Sequence, residues 1–220
     1  MKSVKSFIAI LLTAILVLAL PVVSMAKEEK EEAVAISDAA GFAAIETGRD
    51  YYLTADITVT ETHTTAYAGN FDGKGHKITT TVTLFDSFEG SAKDLTIEGS
   101  VSSTADRGGV FANTITGNTV LSGIVNKASM TGSTTKVSSS DGLEVVGSYG
   151  GIFGTSAKSI ELTVENCVNY GKITGYNAGG ICGKNHAKLT MKDCTNLGDI
   201  VGTDVGGGFI AWGWGDFTME

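Results

Sequence analysis

Apolar and polar positions alternate in short bursts over most of this chain, and glycine and asparagine cut the bursts every few residues. Stretches 188–194 (KLTMKDC), 171–175 (GKITG) and 179–183 (GGICG) set Leu, Ile and Thr between turn residues such as Asn169-Tyr170-Gly171 and Tyr176-Asn177. That pattern predicts three short strands per unit. No stretch after Arg49 carries a helical apolar period, so the unit reads as all-β. Two segments depart from the pattern. Residues 37–48 (SDAAGFAAIETG) have Ser37 or Asp38 as an N-cap, an Ala-rich interior and Gly48 as a stop, which predicts a short helix. Residues 7–20 form an apolar run, broken only by Thr13, behind Lys2 and Lys5, followed by Pro21 and a small-residue site at 24–26. This is the pattern of a cleaved secretory signal over 1–26, and the run is too short to favour a permanent membrane span.

The bursts recur. Asn166 opens NCVNYGKITGYNAGGICG and Asp193 opens DCTNLGDIVGTDVGGG, and the two align at a spacing of 27 residues. Cys167 falls on Cys194, Asn169 on Asn196, Ile173 on Ile200, Gly175 on Gly202, and Gly179-Gly180 on Gly206-Gly207. Upstream, Asn126, Met130 and Gly132 precede Asn169, Ile173 and Gly175 by 43 residues, and GGIFG at 150–154 matches GGICG at 179–183. Set against the 27-residue period, that places a 16-residue insertion, 133–148, between Gly132 and Gly150. An earlier copy is GGVFA at 108–112. A fixed period of this size signals a repeat architecture. Equivalent strands separated by about 20 residues satisfy the need of parallel pairing for a long crossover. The expectation is therefore a parallel β-helix whose coils stack at about 4.8 Å, with Ile173 over Ile200 and Leu162 over Leu189. A β-propeller would need blades of about 40–45 residues, and a leucine-rich repeat its L-x-x-L-x-L phrase; neither fits. The 37–48 helix would cover the first coil.

With the repeat laid out, the chain resembles the GLUG-repeat family of secreted and surface proteins, through Gly151-Ile152-Phe153-Gly154 and Gly180-Ile181-Cys182-Gly183. Gly109-Val110-Phe111-Ala112 departs at its last position. Stretches 51–59 (YYLTADITV) and 70–78 (NFDGKGHKI) look like the first coils of right-handed β-helices. The resemblance implies extracellular bacterial proteins, some of them parts of immunoglobulin A peptidases and others adhesins. It carries no catalytic residue over to this chain. The H-E-x-x-H motif is absent, because His63, His76 and His186 are followed by Thr, Lys and Ala.

Composition narrows the function. Removing 1–26 takes away two lysines and no acids, which leaves 14 basic against 24 acidic residues, a balance of −10. That argues against nucleic acid, whose phosphates demand basic patches. Residues 27–36, opening KEEKEE, read as a charged lead, and 49–220 as the repeats.

The chemical candidates each have a structural reading beside them. FDGKGH at 71–76 reads as a tight turn rather than a metal loop, since one Asp and one His do not complete a coordination shell. Stacked asparagines 126, 169 and 196 read as an amide ladder. Cys167 and Cys194 would stack, with parallel Cβ vectors that disfavour a disulfide, and read as buried free thiols. Tyr170, Tyr176, Trp212 and Trp214 offer aromatic surface for sugar rings, or else pack the corners. The insertion, with Asp141 and Glu144, is the better candidate ligand surface, because a loop added to a rigid scaffold is where binding usually lives; simple drift is the alternative.

No cofactor or metal is expected. The reading is a secreted, non-catalytic β-solenoid, an adhesive, binding or scaffold segment whose partner is a glycan, cell wall or host surface protein. The alternatives are a polysaccharide-active β-helix enzyme (lyase or glycoside hydrolase) and an accessory region of a secreted peptidase. Because MKDC at 191–194 maps onto ME at 219–220, the chain reads as a fragment that stops in mid-copy, with self-association through the open edge as a consequence.

Overall fold

Short β-branched and aromatic bursts bounded by turn residues give short strands, and here they pair with their own repeats. A computed structural model describes residues 32–138, 144–145 and 147–220, all within one compact unit, Glu31–Glu220. The 1–26 signal reading and Asp141 lie outside the described residues. Within them no helix is long and apolar enough to cross a membrane. The described residues are all-β, with 24 strands and one short helix. Seventeen strands join in one sheet and five in a second, all paired in parallel, while Val137–Ser138 and Glu144–Val145 form an antiparallel hairpin.

Parallel register sets equivalent side chains in columns on the same face. One column runs Tyr51, Phe71, Ala92, Leu121, Val164, Met191 and Met219. Its first six members are buried and Met219 is 53% exposed. The expected pairs Ile173 with Ile200 and Leu162 with Leu189 are present. The five-stranded sheet carries Phe85, Ala112, Phe153, Cys182 and Ile210 in one column. Each large apolar side chain so buried contributes about 1.5–3 kcal/mol.

The register corrects the sequence alignment in three places. A β-bulge between Gly175 and Asn177 shifts the pairing, so Gly179 meets Gly207 rather than Gly206, and the step lengthens from 27 to 28. The copy at 108–112 is offset by one, since Gly109 pairs with Gly150 and Ala112 with Phe153. Met130 pairs with Ile173, 43 residues on, but Ser148 with Asn177, 29 on, so the insertion adds 14 residues rather than 16. Ser148 itself is a buried strand residue, not part of the loop. Between the two sheets the chain bends at paired glycines. A Cβ on Gly150 would stand 2.1 Å from the Phe153 carbonyl oxygen, and one on Gly179 would stand 2.0 Å from that of Cys182.

The N-terminal end is shorter in helix and longer in strand than the pattern suggested. Val34–Ile36, inside the 27–36 lead, is a strand paired with Tyr51–Leu53. Helix α1 spans Ala39–Ala43, and Asp38 caps it by accepting the Gly41 N–H at 2.8 Å. Gly48, at φ +84°, lies in a turn beyond the helix end. Phe42 of α1 is buried against the rings of Phe71 and Phe85, so the helix seals the aromatic core.

Candidate functional site

The asparagine column is structural and complete. Asn126 Nδ2 donates to Asn169 Oδ1 (2.7 Å), and Asn169 Nδ2 to Asn196 Oδ1 (2.8 Å). Each amide also closes a turn on the residue two ahead, as Asn169 does with Gly171 at both N–H and C=O. The amides of Asn126 and Asn169 are thus consumed by backbone and neighbour, which leaves them no role in ligand binding. FDGKGH is likewise a turn: Asp72 Oδ1 accepts the Lys74 N–H, and Gly75 has φ +77°. Among the described residues no group of three or more His, Cys, Asp or Glu is placed to hold a metal. Cys167, Cys182 and Cys194 are free thiols. Hydrogen bonding from Cys167 draws the Cys194 thiol down to about 7, while Cys167 itself is pushed up.

Two concavities bear on function. The larger, about 890 Å³, lies on the outer face of the main sheet beside Asp50, Tyr52, Asp72, Lys93, Val120 and Glu165. Its Asp72 is tied to Lys74 (3.0 Å) and Lys93 (3.3 Å), and despite partial burial these bonds keep its carboxyl below the ordinary range. An ionised carboxylate so paired is no general acid.

The smaller, about 340 Å³, opens where the five-stranded sheet meets the start of the strands above the bends. Asp106, Arg107, Ser148, Thr155, Lys158, Lys184 and His186 line it. Register explains the gathering. Thr155, Lys184 and Trp212 occupy one column, and Arg107, Ser148 and Asn177 another. Lys184 Nζ sits 4.8 Å from the centroid of Trp212 and 5.2 Å from that of Trp214, within cation–π range. The two indoles meet edge to face at 4.7 Å, and His186 lies 5.8 Å from Trp214. Burial lowers the pKa of Lys184, and the charges of Arg107 and Lys158 lower it further. His186 is lowered by burial and then by Lys184 and Lys158. Trp214 is 70% exposed, so an indole face is presented beside a cation.

Of the candidates expected from sequence, Trp212 and Trp214 come together here. Tyr170 is exposed at the turn after Asn169, where its N–H donates to the Asn126 carbonyl. Tyr176 is half-buried at the base of the insertion, its N–H bonded to the Ser133 carbonyl. Glu144 lies in the antiparallel hairpin. The sequence reading missed Lys184, His186, Arg107 and Lys158. The available signal was the repeat itself, which carried through the one-residue bulge places Lys184 under Trp212.

No protein-family profile, curated protein or solved structure matches this chain.

Proposed function

We propose that the chain is a right-handed parallel β-helix of the GLUG-repeat kind, exported by a bacterium, and that it is a non-catalytic segment binding glycan at the cell surface. Supporting the helix are the parallel columns, which step from layer to layer in chain order through both sheets. Supporting the binding role is one observation above the others, the Lys184 ammonium set over the rings of Trp212 and Trp214 with Trp214 open to solvent. Indole faces stack on the apolar faces of sugar rings, and a neighbouring cation fixes orientation.

The test is binding of the full chain to a glycan array, repeated with Trp212→Ala/Trp214→Ala. The reading expects glycan binding that the double variant loses. Binding unchanged in that variant, or none with the unaltered chain, contradicts it. The second reading, a polysaccharide-active enzyme, draws on the 890 Å³ groove, which has Asp50 and Glu165 among its lining residues. Turnover of an acidic polysaccharide that Glu165→Gln abolishes would select it.

A further inference from the structure

The smaller groove is cationic on an acidic protein. The chain has a net charge of −8, yet this groove collects Arg107, Lys158 and Lys184. Asp106 is the carboxylate among its lining residues, and Arg107 donates to both its oxygens, from Nε at 2.9 Å and Nη2 at 2.7 Å. The positive balance therefore rests on the two lysines. Like charges held together beside partly buried walls repel one another, and an arriving anion would relieve that repulsion. The depressed pKa of Lys184, caused by burial and then by Arg107 and Lys158, is the same strain seen from the amine.

A buried amide stands behind the groove wall. Asn177, next to Ser148 in its column, is 1% exposed, and neither its Oδ1 nor its Nδ2 has a hydrogen-bond partner among the described residues. Buried amides ordinarily find partners, as Asn126 and Asn169 do. Parallel register puts the Asn177 side chain on the same face as that of Ser148, which lines the groove.

We propose that this groove is a subsite for an anionic sugar, whose carboxylate or sulfate lies on Lys184 and Lys158 and whose ring stacks on Trp214. The inference rests on the glycan-binding reading and adds the chemical class of the sugar. Charge complementarity selects the occupant: two ammonium groups with no carboxylate ion pair among the described residues, in a pocket of this volume, suit one acidic residue of a chain, and the exposed indole continues the surface for the next ring.

The test uses the full chain with immobilised alginate for carboxylate, dextran sulfate for sulfate, and dextran as the neutral control. The expectation is preference for one or both anionic polymers over dextran. It includes a loss of about ten-fold on Lys184→Met, recovered in Lys184→Arg, and a smaller loss on Lys158→Met. Binding should also weaken as salt is raised. Alginate without dextran sulfate identifies the carboxylate source, and the reverse identifies the sulfate source. Equal binding to dextran, or full anion binding by Lys184→Met, overturns the subsite while leaving the glycan reading standing. Binding to none of the three overturns both. The thermal midpoint of Lys184→Met, expected to match that of the unaltered chain, separates lost binding from lost fold.

Discussion

A single column of side chains divides the molecule into two halves with different chemistry. Ile57, Ile78 and Ile97 occupy it in the early layers, and Asn126, Asn169 and Asn196 continue the same register in the later ones. The early half is closed by α1 and filled with rings. Phe85 alone lies 5.2–5.9 Å from the rings of Phe42, His63, Tyr67, Phe71, Phe88 and Phe111. The later half has few rings inside and closes with amides and tight glycine bends. The difference teaches what each half demands of its sequence. Apolar packing tolerates exchange of one ring or aliphatic group for another when volume is kept. An amide ladder needs an identical partner one layer away. The repeat is accordingly plain from Asn126 onward and faint before it.

Breaking the aromatic half should have the largest effect. Phe85→Ala removes the ring at the centre of the cluster and is expected to cost about 3–5 kcal/mol in urea unfolding, with Phe85→Leu costing less. If both cost under 1 kcal/mol by the same criterion, the rings are not what holds that half together.

The amide half should break in a different manner. Asn169→Ala takes one partner each from the Nδ2 of Asn126 and the Oδ1 of Asn196, which keep Ala128 and Gly198, and removes the side-chain bonds to both backbone groups of Gly171, at an expected cost of about 2–4 kcal/mol. Asn169→Ile, which restores the apolar filling of the early layers, should not recover that loss. Asn126, bonded to another amide on one side and facing Ile97 on the other, should cost less when changed to Ala. A stabilising Asn169→Ile would show that the column is mere filling.

Acid should sharpen the contrast by acting on the aromatic half at mild pH. His63 is buried between Tyr67 and Phe85, with Nε2 lacking a hydrogen-bond partner among the described residues, and burial lowers its pKa below the usual 6.5. The unfolded chain then takes up the proton first. The stability this residue contributes is full above the ordinary value and is lost as pH falls through the lowered one. His186 shifts in the same direction, so the difference between the unaltered chain and His63→Leu isolates the effect. Urea midpoints from pH 8 to 5 should fall less steeply for His63→Leu. Parallel slopes would remove His63 from the account.

Much of this was legible in the sequence because columns repeat letters. Strand identity, the Ile173–Ile200 and Leu162–Leu189 pairs and the asparagine ladder follow from spacing alone. Register beyond Gly175 did not, because a bulge adds a residue without leaving a turn signature. The helix at 37–48 proved to span only Ala39–Ala43, since an Ala-rich run without tertiary support past Phe42 gains little from further turns. The cluster around Lys184 was half visible. Its tryptophans stand out in composition, but its lysines and Arg107 belong to three different layers and converge only through pairing.

The central claim, that the indole–lysine cluster takes a glycan, can be tested with the chain's own reporters, because Trp212 and Trp214 are its only tryptophans. Titrating alginate or dextran sulfate into the full chain while following tryptophan emission should give a saturable change that Lys184→Met weakens. Binding that leaves the emission unmoved would place the ligand elsewhere and contradict the account.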